Sequence, residues 1–243
     1  MTIEDIILDR DGRGISHLRP HLPSDYATQA AQLILDNPGT AIITTGFYIL
    51  SAGMAETDGP PGAVVIGNAL EKLGYDVVYV TDRYATALLS TTGSDNARVI
   101  EFPIADDDTS KAFAAGMLQE VNPSVIIAIE RCGWTAEGMY LNMRGLDISP
   151  HNARIDHIFS GSTPSVGVGD GGNEIGMGNL AEEVPKVETL VRDACVTTVD
   201  KLMLASVSNW GGYGLVAALS ELKGQNLLPS IEEEHALVSQ TVD

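Results

Sequence analysis

The chain predicts an α/β protein: a doubly wound, mostly parallel sheet with helices on both faces, in a single domain spanning residues 1–243. Three observations carry this. Short β-branched runs recur along the chain, several of them apolar on both faces; helical stretches separate most of them; and Gly, Pro and Asn punctuate the joins. Strands buried on both faces belong to parallel sheets, and strand–helix alternation gives the doubly wound architecture. No Pro/Ser-rich linker, low-complexity tract or internal repeat divides the sequence.

In chain order, Ser24 caps a helix over 24–36, with Ala27, Ala30, Leu33 and Ile34 on one face and Asn37-Pro38-Gly39 as its stop. Ala41-Ile42-Ile43-Thr44 is the first strand. A helix over 63–73 ends at Gly74 and leads to the second strand, Val77-Val78-Tyr79-Val80. The third, Val99-Ile100-Glu101-Phe102, precedes a helix over 109–120 that Asn122-Pro123 terminates. Val125-Ile126-Ile127-Ala128-Ile129 is the fourth strand, Val166-Gly167-Val168 the fifth and Cys195-Val196-Thr197 the sixth, before a last apolar helix over 214–222. Residues 133–159 are the least regular, and loops of that length in compact domains are commonly lids or site walls.

The bulk composition excludes several classes. An excess of 33 acidic over 14 basic residues gives a net charge of −19, which repels nucleic acid and anionic lipid. No window approaches the roughly 18 apolar residues of a membrane span, and the first 13 residues are acidic where a signal peptide is basic, so a cytoplasmic protein is expected. Two cysteines, Cys132 and Cys195, are too few for a disulfide framework or a thiolate zinc site.

Ligands of open parallel sheets bind at the carboxyl ends of the strands, so the residues just past each strand matter most. Thr45-Gly46 follows the first strand, with Glu56-Thr57-Asp58-Gly59-Pro60-Pro61-Gly62 next; Glu130-Arg131 follows the fourth; Asp170-Gly171-Gly172-Asn173-Glu174 follows the fifth. Carboxylates gathered on one rim repel one another unless a cation sits among them or some are protonated. Asp58, Glu130, Asp170 and Glu174 are therefore the expected ligands of a divalent cation, and oxygen donors without paired His or Cys suit Mg²⁺, Mn²⁺ or Ca²⁺. Glu130, Asp170 and Glu174 are also the candidates for proton transfer. Asp and Gly equally make tight turns, but the glycine density over 167–178 allows close approach of a ligand, which marks Gly171, Gly172 and Asn173, with Thr45 and Gly46, as substrate contacts. Arg131 and Arg144 can clamp a substrate carboxylate with two parallel hydrogen bonds, or else brace the carboxylate cluster. No Walker A sequence, Gly-x-Ser-x-Gly elbow or His-Glu-x-x-His is present.

Taken in order, Glu56 through Ala63, Ala128 through Gly133, Asn142-Met143-Arg144-Gly145, Gly167 through Gly178, Cys195 through Thr198 and Ser208 through Tyr213 resemble the D-glutamate cyclase family, in the domain that forms the C-terminal part of its mitochondrial member. The resemblance implies a lyase that interconverts D-glutamate and 5-oxo-D-proline with loss or gain of water, a small anionic amino-acid substrate and a bound divalent cation. The mitochondrial member also carries a large N-terminal domain, so a partner domain of that type, or a homo-oligomer, is an expectation here. Two other readings stay open: a metal-dependent phosphohydrolase or sugar-phosphate enzyme using the same acidic rim, and a non-catalytic regulatory domain of a separate cyclase.

Overall fold

The computed structural model describes residues 1–93 and 98–242, so the last residue of the expected 1–243 unit lies outside the described residues. Its centre is a six-stranded sheet of β1 (Thr40–Gly46), β4 (Asp76–Thr81), β5 (Arg98–Glu101), β6 (Val125–Arg131), β7 (Ser165–Gly169) and β8 (Lys201–Leu204), in spatial order β5-β4-β1-β6-β7-β8. Every pairing in it is parallel. The first strand is thus central, and the chain winds outward from it in one direction and then the other. That reversal creates a crevice between the carboxyl ends of β1 and β6.

All seven residues of β6 and all five of β7 are buried, as strands covered on both faces must be. On one face α2 (Tyr26–Leu35), α3 (Pro60–Lys72) and α6 (Ser208–Lys223) pack together, with α1 (Ile3–Ile7) against α6. Beyond α3, α4 (Thr86–Thr92) leans on β5, and α7 (Ile231–Val242) rests on α3 and α4. The other face is covered by α5 (Asp107–Val121), in contact with the 3-10 turn Ile155–Phe159. A two-stranded hairpin of β2 (Tyr48–Ile49) and β3 (Met54–Ala55) stands above the sheet.

Five of the six expected strands form where their β-branched runs lie. The sixth is a correction: Cys195-Val196-Thr197 is irregular and covers the glycine-rich loop, with the Thr197 carbonyl accepting from the amides of Gly176 and Gly178. The edge strand is Lys201–Leu204 instead, whose residues, none of them β-branched, are drawn into the sheet by pairing with β7. At the first long helix Asp25, not Ser24, holds the N-cap position. Residues 133–159 carry only the isolated bridge Leu141–Asp147 and two short 3-10 turns, in keeping with a loop that walls a site.

Helices α3 and α6 approach closely because glycines face each other. A Cβ on Gly212 would lie 3.0 Å from the Cα of Gly62, and one on Gly62 would lie 2.7 Å from Ile129 Cδ1. Their N-termini cap each other. Asp58 Oδ1 accepts from the Asn209 amide at 2.7 Å and Oδ2 from the Ser208 amide at 3.1 Å, while Asn209 Oδ1 accepts from the amides of Gly59 at 3.0 Å and Gly62 at 2.8 Å. Each helix thereby receives the side-chain acceptor that its first-turn amides need.

Candidate functional site

Between β1 and β6 the ladder register shifts: Thr44 pairs with Ala128 but Gly46 with Arg131, so β6 carries one extra residue. Glu130 sits at that bulge with φ of +43°, a left-handed conformation uncommon for a side chain larger than Gly, Asn or Asp. The bulge turns the carboxyl group of Glu130 into the crevice, where Ser208 Oγ donates to its Oε2. Arg131 goes elsewhere. It is fully buried, its Nη1 lies 2.7 Å from Asp82 Oδ2, and it donates to the carbonyls of Gly46 at 3.1 Å and Ala153 at 3.0 Å. Of the two roles open to Arg131, the structure therefore gives it bracing, of Asp82 and not of the carboxylate rim, and does not bring it to the cavity.

Asp58, Glu130 and Asp170 come together as expected: each offers a carboxylate oxygen within 4.8 Å of the others. Asp170 follows β7 and is only 1 % exposed; Oδ1 accepts from the guanidinium of Arg13, and Oδ2 has no hydrogen-bond partner. A buried carboxylate oxygen left without a donor is costly, and a cation beside it relieves that cost. The donor set of three carboxylates with this unpartnered oxygen fits a hard divalent ion.

Glu174 is held differently. Its Oε1 accepts from the amide of Gly171 at 2.8 Å and, more weakly, of Asp170 at 3.4 Å; its Oε2 accepts from Gly172 at 2.8 Å. It closes the loop on itself, and it makes the Gly171 and Gly172 amides unavailable to a substrate anion. The loop is then fixed to the end of β6 by the Gly133 amide on the Asn173 carbonyl and the Ile175 amide on the Arg131 carbonyl. Thr45 lies beneath the Asp58 loop with its hydroxyl unpartnered, and Gly46 takes φ of +111° against Ala85 and Thr81. Neither lines the cavity.

A cavity of about 300 Å³ opens beside Glu130. Arg13, Glu56, Arg144, Asn173 and Glu174 line it together with Glu130, while Phe47 and Tyr48 at the hairpin and Met143 in the long loop give it apolar walls. Burial and the neighbouring Asp58 raise Glu56 to about 7. Burial and Glu174 raise Asp170 to about 9, with Arg13 working in the opposite direction. Glu130 is raised well above the ordinary carboxylate range by burial and by the charges of Asp170 and Glu174.

Arg13 is the cation that reading the strand ends misses, because it precedes the sheet altogether. Its signal lies in Asp11-Gly12-Arg13-Gly14, a turn composition around a charged residue. Asp11 accepts from the amides of Arg13, Gly14, Ile15 and Ser16, which builds a loop that points Arg13 at Asp170. Ser208 and Asn209, also outside the expected site, support Glu130 and the Asp58 loop.

Residues 3–243 match the family described as D-glutamate cyclase-like, C-terminal. The chain is 34 % identical over 231 residues to the human mitochondrial D-glutamate cyclase, an alignment covering 87 % of this chain and 37 % of that protein; it thus spans little over a third of the relative's length. A crystal structure of a short-chain dehydrogenase from Streptomyces avermitilis overlaps 85 % of this chain and 92 % of its own at 11 % identity, with a TM-score of 0.34. On the family match and the human relative together, the chain belongs to the D-glutamate cyclase-like C-terminal family.

Proposed function

We propose that the chain is a lyase that interconverts D-glutamate with 5-oxo-D-proline and water in the cavity beside Glu130, assisted by a divalent cation. One observation carries the reading: the carboxylate oxygens of Asp58, Glu130 and Asp170 converge within 4.8 Å next to a cavity that also holds Arg13 and Arg144.

In the forward direction the α-nitrogen bonds to the γ-carboxyl carbon, the bond from that carbon to one oxygen breaks, and two protons pass from nitrogen to the departing oxygen. The atoms balance without any further reactant. A group that takes a proton from an ammonium and returns it to an oxygen works best with a pKa near neutral. Glu130 and Glu56 face the cavity and are raised toward or above that range. Arg144 and Asn173 line the same space and suit the substrate's carboxylates. Asp58, Glu130 and Asp170 would hold Mg²⁺, Mn²⁺ or Ca²⁺, which would supply charge shielding and polarisation of a carboxyl oxygen. Because both reacting groups belong to one molecule, the enzyme's contribution is conformation and electrostatics.

The test incubates the purified chain with D- and L-glutamate and Mn²⁺ or Mg²⁺, and follows 5-oxoproline by chiral chromatography, with a panel of phosphate esters alongside. Metal-dependent formation of 5-oxo-D-proline is expected; turnover of an ester instead would replace the reading. A second reading is a regulatory domain of a cyclase, since the alignment covers 37 % of the human relative and the rest of that protein lies outside the matched part. Binding of Mn²⁺ and glutamate without any turnover would select it.

A further inference from the structure

We propose that Arg13 is an exchangeable cationic partner of Asp170: it donates to Asp170 while the carboxylate cluster is free of metal, and a divalent cation on Asp58, Glu130 and Asp170 displaces it into the cavity, where it receives a substrate carboxylate. The inference rests on the cation and substrate class of the proposed function and assigns a role to a residue outside it.

Four observations carry it. Arg13 Nη1 donates to Asp170 Oδ1, one of the carboxylates of the convergent group. The other oxygen of Asp170, in a residue 1 % exposed, has no partner, so a ligand remains to be supplied even with Arg13 in place. Arg13 also lines the cavity, and its side chain is 45 % exposed, which leaves it an aqueous path between the two positions. Its backbone, by contrast, is fixed: the Asp11 carboxylate gathers four amides around the turn, Thr189 Oγ1 donates to the Arg13 carbonyl, and Gly14 takes φ of +84° in close packing with Thr189 and Val187. A fixed stem with a half-exposed guanidinium suits a group that changes partner without moving the loop. Two cations cannot both occupy one buried carboxylate at short range without repulsion, so a metal ion and Arg13 compete for Asp170. Once displaced, a guanidinium in a small cavity favours a carboxylate, so metal and substrate strengthen each other's binding, reciprocally by linkage.

The experiment measures Mn²⁺ binding by counting free ion with electron paramagnetic resonance, and glutarate binding by calorimetry with and without saturating Mn²⁺. Glutarate has the two carboxylates of the substrate but no amine and cannot cyclise. In the unaltered protein Mn²⁺ should tighten glutarate binding about tenfold. Arg13→Gln should bind Mn²⁺ about tenfold more tightly, having lost the competing charged hydrogen bond, and should lose most of the tightening of glutarate by Mn²⁺. Arg13→Lys should restore part of that tightening, and Arg10→Gln, which removes the same charge from an exposed neighbour, should alter neither quantity. Unchanged Mn²⁺ affinity in Arg13→Gln, or full retention of the tightening, overturns the exchange while leaving a metal-assisted site standing. Absence of Mn²⁺ binding from every variant overturns the exchange together with the metal. Exchange observed in a protein that never forms 5-oxoproline keeps this role for Arg13 and removes the cyclase reading.

Discussion

Glu130 combines a left-handed backbone, a buried carboxyl group and four carboxylate neighbours, each unfavourable alone. Strain of this kind, of order 1–3 kcal/mol, persists where the surrounding structure imposes it, here through the β6 bulge and the loop of Asp58. Asp170 is the sharper test of the site. Asp170→Asn preserves size and hydrogen-bonding capacity but removes the charge, so the variant should fold with near-normal stability in chelator and yet lose both metal-induced stabilisation and turnover. Retention of both, measured by melting curves and 5-oxoproline formation, would remove Asp170 from the site. Titration gives an independent check. Glu56 and Asp170 are raised to about 7 and about 9, so the native cluster keeps protons that the unfolded chain releases near its ordinary carboxylate values of about 4. The stability those protons confer is complete below that lower value and is lost as pH rises through the raised ones. The melting temperature in chelator should therefore fall between about pH 4 and about pH 9, and Asp170→Asn should flatten the upper part of the fall.

The strands show what a sequence discloses. Five announce themselves because β-branched residues buried on both faces leave few alternatives, whereas Lys201–Leu204 reads like helix and is recruited to the sheet only by its neighbour β7. Cys195-Val196-Thr197 has the composition of a strand, but its backbone is engaged by the glycine-rich loop, where the Thr197 carbonyl accepts from the amides of Gly176 and Gly178. The site divides in the same way. Asp58, Glu130 and Asp170 were legible because topology places strand ends on one rim, but the bulge that turns Glu130 inward and Arg131 away depends on registry between β1 and β6, which no local pattern encodes. Arg13 reaches the rim from an element outside the sheet. The reciprocal caps of α3 and α6 bind these parts together. Gly59→Ala would force a side chain into φ of +98° with its Cβ 2.5 Å from Thr45 Oγ1 and 2.6 Å from Glu130 Cβ, and should cost at least about 1–3 kcal/mol while displacing Glu130. Asn209→Ala removes the acceptor of the Gly59 and Gly62 amides and should cost about 1 kcal/mol. Denaturant unfolding of the two variants measures both; equal and negligible losses would show that the caps do not hold the Asp58 loop.

A molecule with a net charge of −19 gains stability from any added salt, so a specific cation must be separated from screening. Binding confined to the native state should stabilise it by about 2.7 kcal/mol at a hundredfold excess of cation over its dissociation constant. Mn²⁺ or Mg²⁺ should accordingly raise the melting temperature well beyond Na⁺ at equal ionic strength; equal shifts would leave no specific site. No helix among the described residues is long and apolar enough to cross a membrane.

The mutual caps of α3 and α6 join residues 150 positions apart, and the carboxylates they steady come from both sides of the point where the sheet reverses direction. Contacts of such long sequence separation form late, because the loop between them must close first. A chain still emerging during synthesis therefore has helices and a partial sheet long before it has an ion-binding centre. In refolding from denaturant, the far-UV helical signal should precede the capture of Mn²⁺, and excess Mn²⁺ should slow unfolding while leaving the folding rate almost unchanged, as expected of interactions absent from the transition state. Stopped-flow measurement of both rates across a range of Mn²⁺ concentrations reads this directly; acceleration of folding by the ion would place the closure of the two halves before, rather than after, the rate-limiting step.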